Sequence, residues 1–107
     1  MPTYNKLVRD KIPEIIKRTG KNYRTTVLDD YAFEKELKEK LKEEMDEVLK
    51  AKNTEELVEE LADLLEVIDA LSRHCGIDSS QLELVKEQKK LDRGGFEKKF
   101  YLLDVED

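Results

Sequence analysis

The sequence predicts an all-α protein, a helical bundle of about four helices forming one domain over residues 1–107. Three observations carry this expectation. Apolar residues recur every three or four positions along most of the chain, each such run is bounded by residues that cap or break helices, and 43% of the residues are charged, as in amphipathic helices with solvated outer faces. The hydrophobic share, 38%, is low for a compact monomer, but the helical periodicity decides against disorder.

The first helix is expected from about Asp10 to Thr19. Asp10 is positioned to cap it, Pro13 is tolerated in its first turn, Ile12, Ile15 and Ile16 share a face, and Gly20 stops it. The next stretch, Tyr23 to Leu28, is rich in β-branched and aromatic residues and reads as a short extended segment. Asp29 or Asp30 then caps a long second helix reaching about Ala51, with Phe33, Leu37, Leu41, Met45 and Val48 along one face.

Asn53 and Glu56 have the spacing of a capping box for a third helix, whose seam of Leu57, Leu61, Leu64, Leu65, Ile68 and Leu71 ends before Gly76. A fourth helix starts at Asp78 or Ser79 and carries Leu82, Leu84, Val85 and Leu91 up to Gly94-Gly95. Residues 96–105 read as a short strand or an ordered extension.

Composition removes several function classes. A net charge of −6 disfavours a nucleic-acid-binding surface, which needs a basic stripe against the phosphates. A small nucleotide remains compatible where Mg²⁺ and a few local Lys or Arg offset its charge. Cys75 is the single cysteine, so no intrachain disulfide is available and a reducing compartment is expected. No stretch approaches the roughly 20 apolar residues of a membrane span, and the first residues lack the apolar core of a signal peptide. The expectation is a cytoplasmic protein with neither a membrane nor a nucleic-acid partner.

The chemistry lies in the acids. On the second helix, Leu41, Glu44 and Val48 are three and four residues apart, so Glu44 falls inside the apolar seam. Glu47 lies one turn on and toward one flank, whereas Asp46 points to the far side. A carboxylate in a seam requires a compensating cation, proton or hydrogen bond. The third helix supplies Glu60 at the edge of its leucine seam and Asp63 one turn along the same flank. Oxygen donors without a His or Cys cluster suit a hard cation, and Mg²⁺ commonly shares its coordination shell with substrate phosphates. The competing reading is that these acids are solvated faces supporting pairs with Lys.

The pattern Glu43-Glu44-x-x-Glu47 followed by Glu60-x-x-Asp63 resembles the signature of the MazG-like all-α NTP pyrophosphohydrolases. The opening block from Tyr4 to Pro13 (YNKLVRDKIP) and the closing block from Arg93 to Lys99 (RGGFEKK) are similar to a phosphoribosyl-ATP-pyrophosphohydrolase-like branch associated with nucleotide house-cleaning. The resemblance implies that Glu44, Glu47, Glu60 and Asp63 ligate Mg²⁺, with Glu43 as a conditional fifth ligand. It implies hydrolysis of a nucleoside triphosphate, surplus or modified, to the monophosphate and pyrophosphate, with phosphoribosyl-ATP as the alternative substrate. A carboxylate would act as the base, Glu47 being preferred and Glu44 also eligible. Lys6, Arg9 and Lys11, with Arg93 and Lys98, are the phosphate donors it points to.

The contrasting possibility is a non-catalytic helical module that oligomerises through its seams. A homodimer or higher homo-oligomer is expected on either reading, because amphipathic helices in so short a chain leave apolar surface uncovered. His74 beside Cys75 carries no chemistry in this scheme, since adjacent helical residues diverge and the sequence shows no third partner. Tyr4, Tyr23, Phe96 and Tyr101 fill gaps or stack a base.

Overall fold

A computed structural model describes residues 2–107, and among them are four helices and no strand: α1 (Ile12–Arg18), α2 (Asp30–Lys50), α3 (Thr54–His74) and α4 (Ser79–Arg93). The chain divides into two compact units, one ending at Gly76 and the other spanning Ile77–Asp107.

α2 and α3 pack together as the body of the first unit. Only Ala51, Lys52 and Asn53 separate them, a connection short enough to fold one helix back along the other. Both begin on side-chain caps. Asp29 accepts a hydrogen bond from the Ala32 amide at 2.8 Å, and Asn53 accepts one from the Glu56 amide at 2.8 Å. The capping box is present in altered form: Glu56 accepts from the amide of Lys52, at 2.9 Å, rather than from that of Asn53. Gly76, at φ +75°, takes the left-handed turn after α3 that a side chain with a Cβ resists.

α1 is shorter than the sequence suggests. Lys11 stands at its N-cap without a side-chain bond, so Asp10 is not the cap, and Pro13 occupies the first turn, where its missing N–H costs nothing. Neither 23–28 nor 96–105 becomes a strand. Each is a lone segment with no neighbouring strand to receive its backbone donors and acceptors.

The buried apolar side chains are Leu37 on α2 and Val67 on α3. The buried Ser72, also on α3, donates its hydroxyl to the Ile68 carbonyl, at 2.8 Å. By contrast, α3 exposes Leu57, Leu61 and Leu65, one turn apart along a single stripe. In the second unit Asp78 caps α4 through the Ser80 amide, and Leu84, Leu91, Phe96 and Leu103 are exposed. No helix among the described residues is long and apolar enough to cross a membrane.

Candidate active site

Folding α3 back along α2 sets residues equally distant from the turn opposite one another. Glu44 and Glu60, equally far from Lys52 at the middle of the turn, are such a pair, and Asp63 lies one turn after Glu60 on the same flank. One carboxylate oxygen from each of Glu44, Glu60 and Asp63 lies within 4.8 Å of the other two, and all three residues are half-buried. Glu44 is well enclosed, its side chain only 12% exposed against 44% for Asp63, as its place in the α2 seam predicts.

Three carboxylates this close oppose one another's ionisation. Burial raises the Glu60 pKa above its ordinary 4.5, and Asp63, then Glu47 and Glu44, add to the rise. A divalent cation would relieve that repulsion, and a half-buried set of oxygen donors is the chemistry that a hard cation such as Mg²⁺ requires. The residues therefore fit a metal.

The remaining acids divide clearly. Glu47 is exposed and stands outside the three whose oxygens meet, yet it is close enough to influence Glu60. Glu43 instead faces Lys40 at 3.1 Å and Lys6 at 4.0 Å. Asp46 points away and pairs with Lys50 at 2.8 Å, raising the lysine pKa as a solvated i, i+4 pair does. Glu66 is exposed and lines the groove described next.

A groove of about 680 Å³ runs along the hairpin beneath the segment Leu7–Lys11. One end holds Glu44, Asp63, Arg9 and Lys40. Its wall continues through Leu37, Val67 and Ala70 to Phe33 and His74 at the other end. Of the basic residues singled out in the sequence, Arg9 donates to Asp63 at 2.7 Å, Lys6 reaches Glu43, and Lys11 lines the groove. Arg93 and Lys98 belong to the second unit.

Two features escaped the sequence reading. Lys40, with its side chain 18% exposed, lies 3.6 Å from Glu44 as well as against Glu43, so it is the nearest lysine to the acid cluster. The i, i+3 and i, i+4 spacings to those two acids were the available signal. Second, His74 and Cys75 do share a third partner, Glu34, at 4.0 Å and 3.5 Å, and Phe33 packs edge-on against His74. Lys38 holds the Glu34 carboxyl below its usual range, with help from the Cys75 hydrogen bond. Burial, then Glu34, pushes the Cys75 thiol up, which disfavours the nucleophilic thiolate. Tyr4 and Tyr101 are exposed and line neither the metal end of the groove nor its apolar wall.

A family model described as phosphoribosyl-ATP pyrophosphohydrolase matches residues 5–88. That span holds Glu44, Glu47, Glu60 and Asp63 together with Lys6, Arg9 and Lys11, and leaves Arg93 and Lys98 outside it. No curated protein and no solved structure gives a significant match. With the match extending over most of the sequence and the fold all-helical, the chain belongs to the phosphoribosyl-ATP pyrophosphohydrolase family, MazG-like all-α hydrolases that act on acid anhydrides.

Proposed function

We propose that this chain is a Mg²⁺-dependent pyrophosphohydrolase that cuts between the α- and β-phosphates of phosphoribosyl-ATP or a related nucleoside triphosphate. The observation that carries the proposal is the meeting of Glu44, Glu60 and Asp63 within 4.8 Å, with Glu44 and Asp63 lining a groove that also presents Arg9 and Lys40. The family match favours phosphoribosyl-ATP over the surplus or modified nucleotides that the sequence placed first. The non-catalytic module loses ground because these acids are gathered across two helices, whereas a solvated acid such as Asp46 pairs along its own helix.

Glu44, Glu60 and Asp63 would hold Mg²⁺, with Glu43 retained as a conditional ligand. When bound, Mg²⁺ neutralises and orients phosphate oxygens. The chain's own groups do the rest. We assign Glu47 the proton of the attacking water; the fourth ligand position implied by the resemblance is its alternative role, and Glu44 is the other candidate base. The water oxygen bonds to phosphorus, the bridging P–O bond breaks, and pyrophosphate leaves with the electron pair. Lys6, Arg9 and Lys11 supply donors to the phosphate oxygens, with Arg93 and Lys98 as candidates from the second unit.

The same proposal includes a single domain, supported by a family match that continues from the first compact unit into the second as far as residue 88. It also includes a homodimer or higher homo-oligomer, supported by the exposed stripe of Leu57, Leu61 and Leu65. A cytoplasmic location is expected from the lone cysteine.

The test is pyrophosphate release from phosphoribosyl-ATP and a panel of ordinary and modified nucleoside triphosphates, in Mg²⁺ and in EDTA, for wild type and Glu44→Ala. Wild type should release pyrophosphate only with Mg²⁺, and Glu44→Ala should lose about a hundredfold or more in turnover while keeping its helical circular dichroism. Full Mg²⁺-dependent activity in Glu44→Ala would remove Glu44 from the site.

A further inference from the structure

The Arg9–Asp63 pair differs in kind from most ion pairs of the hairpin, and at 2.7 Å it is closer than Lys6–Glu43, the other pair from the N-terminal segment, at 4.0 Å. Most of the hairpin's pairs join residues three or four apart on one helix, as ordinary helix-surface pairs do. Arg9 lies 54 residues from its partner and crosses from the irregular N-terminal segment to α3, where its guanidinium donates to Asp63 Oδ1 at 2.7 Å. The carboxylate it engages belongs to the cluster that fits a divalent cation. A guanidinium and a divalent cation therefore compete for one acid.

We propose that Arg9 is an exchangeable counter-ion: it holds Asp63 until a divalent cation displaces it, and the freed guanidinium then turns to the substrate's phosphates. This rests on the metal-dependent reading above and adds an order of events to it. The local structure permits the exchange. Residues 7–9 belong to no helix or strand, half-buried Leu7 and the Ile12 amide on the Arg9 carbonyl, at 3.1 Å, hold the backbone, and the Arg9 side chain itself remains 57% exposed and can move. The surroundings favour it as well, since Lys40 against Glu44 at 3.6 Å is a second side-chain cation on the cluster. When a divalent cation takes the acids, Arg9 loses Asp63, and Lys40 loses Glu44 but keeps Glu43, on the groove wall that would receive a polyphosphate. Arginine suits the second partner as well as the first, because its planar fork matches phosphate as it matches carboxylate.

The alternative is that Arg9 stays on Asp63 and orients it as a ligand, and the two roles have opposite signs. The experiment is calorimetric titration of Mg²⁺, repeated with Mn²⁺, into wild type, Arg9→Ala, Arg9→Lys and Asp63→Asn without nucleotide. Exchange predicts that Arg9→Ala binds the cation about three- to tenfold more tightly, since it removes an exposed competing ion pair and a nearby positive charge. Arg9→Lys should lie between Arg9→Ala and wild type. Asp63→Asn should bind about tenfold or more weakly, because it deletes a ligand. Both Arg9→Ala and Asp63→Asn break the same bond, so a purely structural role would move both the same way.

At saturating Mg²⁺, Arg9→Ala should then bind α,β-methylene-ATP more weakly than wild type. Unchanged or weakened cation binding in Arg9→Ala, with wild type binding normally, would overturn the exchange alone. Wild type taking up neither cation would overturn the metal reading and the exchange together.

Discussion

Replacing Leu65 by Ala tests what covers the outer face of α3. Leu65 is 65% exposed in the single chain and continues the stripe begun by Leu57 and Leu61. Full burial of a leucine contributes about 1.5–3 kcal/mol, so covering the exposed fraction of Leu65 would contribute about 1–2 kcal/mol per chain. A two-fold interface uses the residue twice, which makes the expected loss about 2–4 kcal/mol of association free energy. At about 1.4 kcal/mol per tenfold, the dimer dissociation constant should rise roughly thirty- to several-hundredfold. Sedimentation equilibrium over a dilution series reads this directly, with Leu49→Ala on α2 measured in parallel as a second exposed leucine. A monomeric wild type at every concentration, or an unchanged constant in Leu65→Ala, would show that no second copy covers the stripe.

Three further outcomes follow from the same structure. Leu37, 3% exposed, should cost about 2–5 kcal/mol when cut to Ala, with a fall in Tm of at least about 8 °C by calorimetry; a smaller shift would mean that α2 and α3 are not packed through it. Glu60→Gln should stabilise the protein in EDTA near neutral pH. The Glu60 pKa is raised in the fold, so the folded chain holds its proton more tightly and wild type loses stability as pH rises from the ordinary 4.5 through the raised value; the two proteins should converge below 4.5, and an advantage persisting there would point to another cause. Asn53→Ala removes the cap of α3 and should cost about 1 kcal/mol in urea unfolding, and no loss at all would mean that Lys52 and Glu56 hold the turn without it.

The helices were legible because each is declared locally. Asp29, Asn53 and Asp78 all cap where the sequence has them, and Gly76 and Gly94 both take positive φ at helix ends. The misreadings arose where residue type alone was the guide. Tyr23 to Leu28 has the composition of a strand, but β-propensity expresses packing against neighbouring strands, and the described residues include none to pair with it. Asp10 has the chemistry of a cap, yet the first helical turn starts one residue too late for it to serve.

The site was legible to the extent that it follows from one short turn. Once the connection is placed at residues 51–53, a hairpin sets α2 residues against α3 residues at nearly matching distances from it: Glu44 against Glu60, equally far from Lys52, with Asp63 one turn beyond, and Phe33 against His74, which is three residues further from Lys52 than Phe33 is. The acid cluster and the Phe33–His74 contact obey the same register, and Glu44, Asp63, Phe33 and His74 line one groove. Glu34 reaching His74 and Cys75 is a further consequence of that register, missed because His74 was weighed only against its sequence neighbours. Arg9 lies outside any such rule. Its segment has no repeat to set a register, and its place on Asp63 depends on how an irregular chain settles over the hairpin, held by Leu7. The metal ligands come from the periodic part of the molecule and their charged partner from the aperiodic part, so the partner is the group with room to leave.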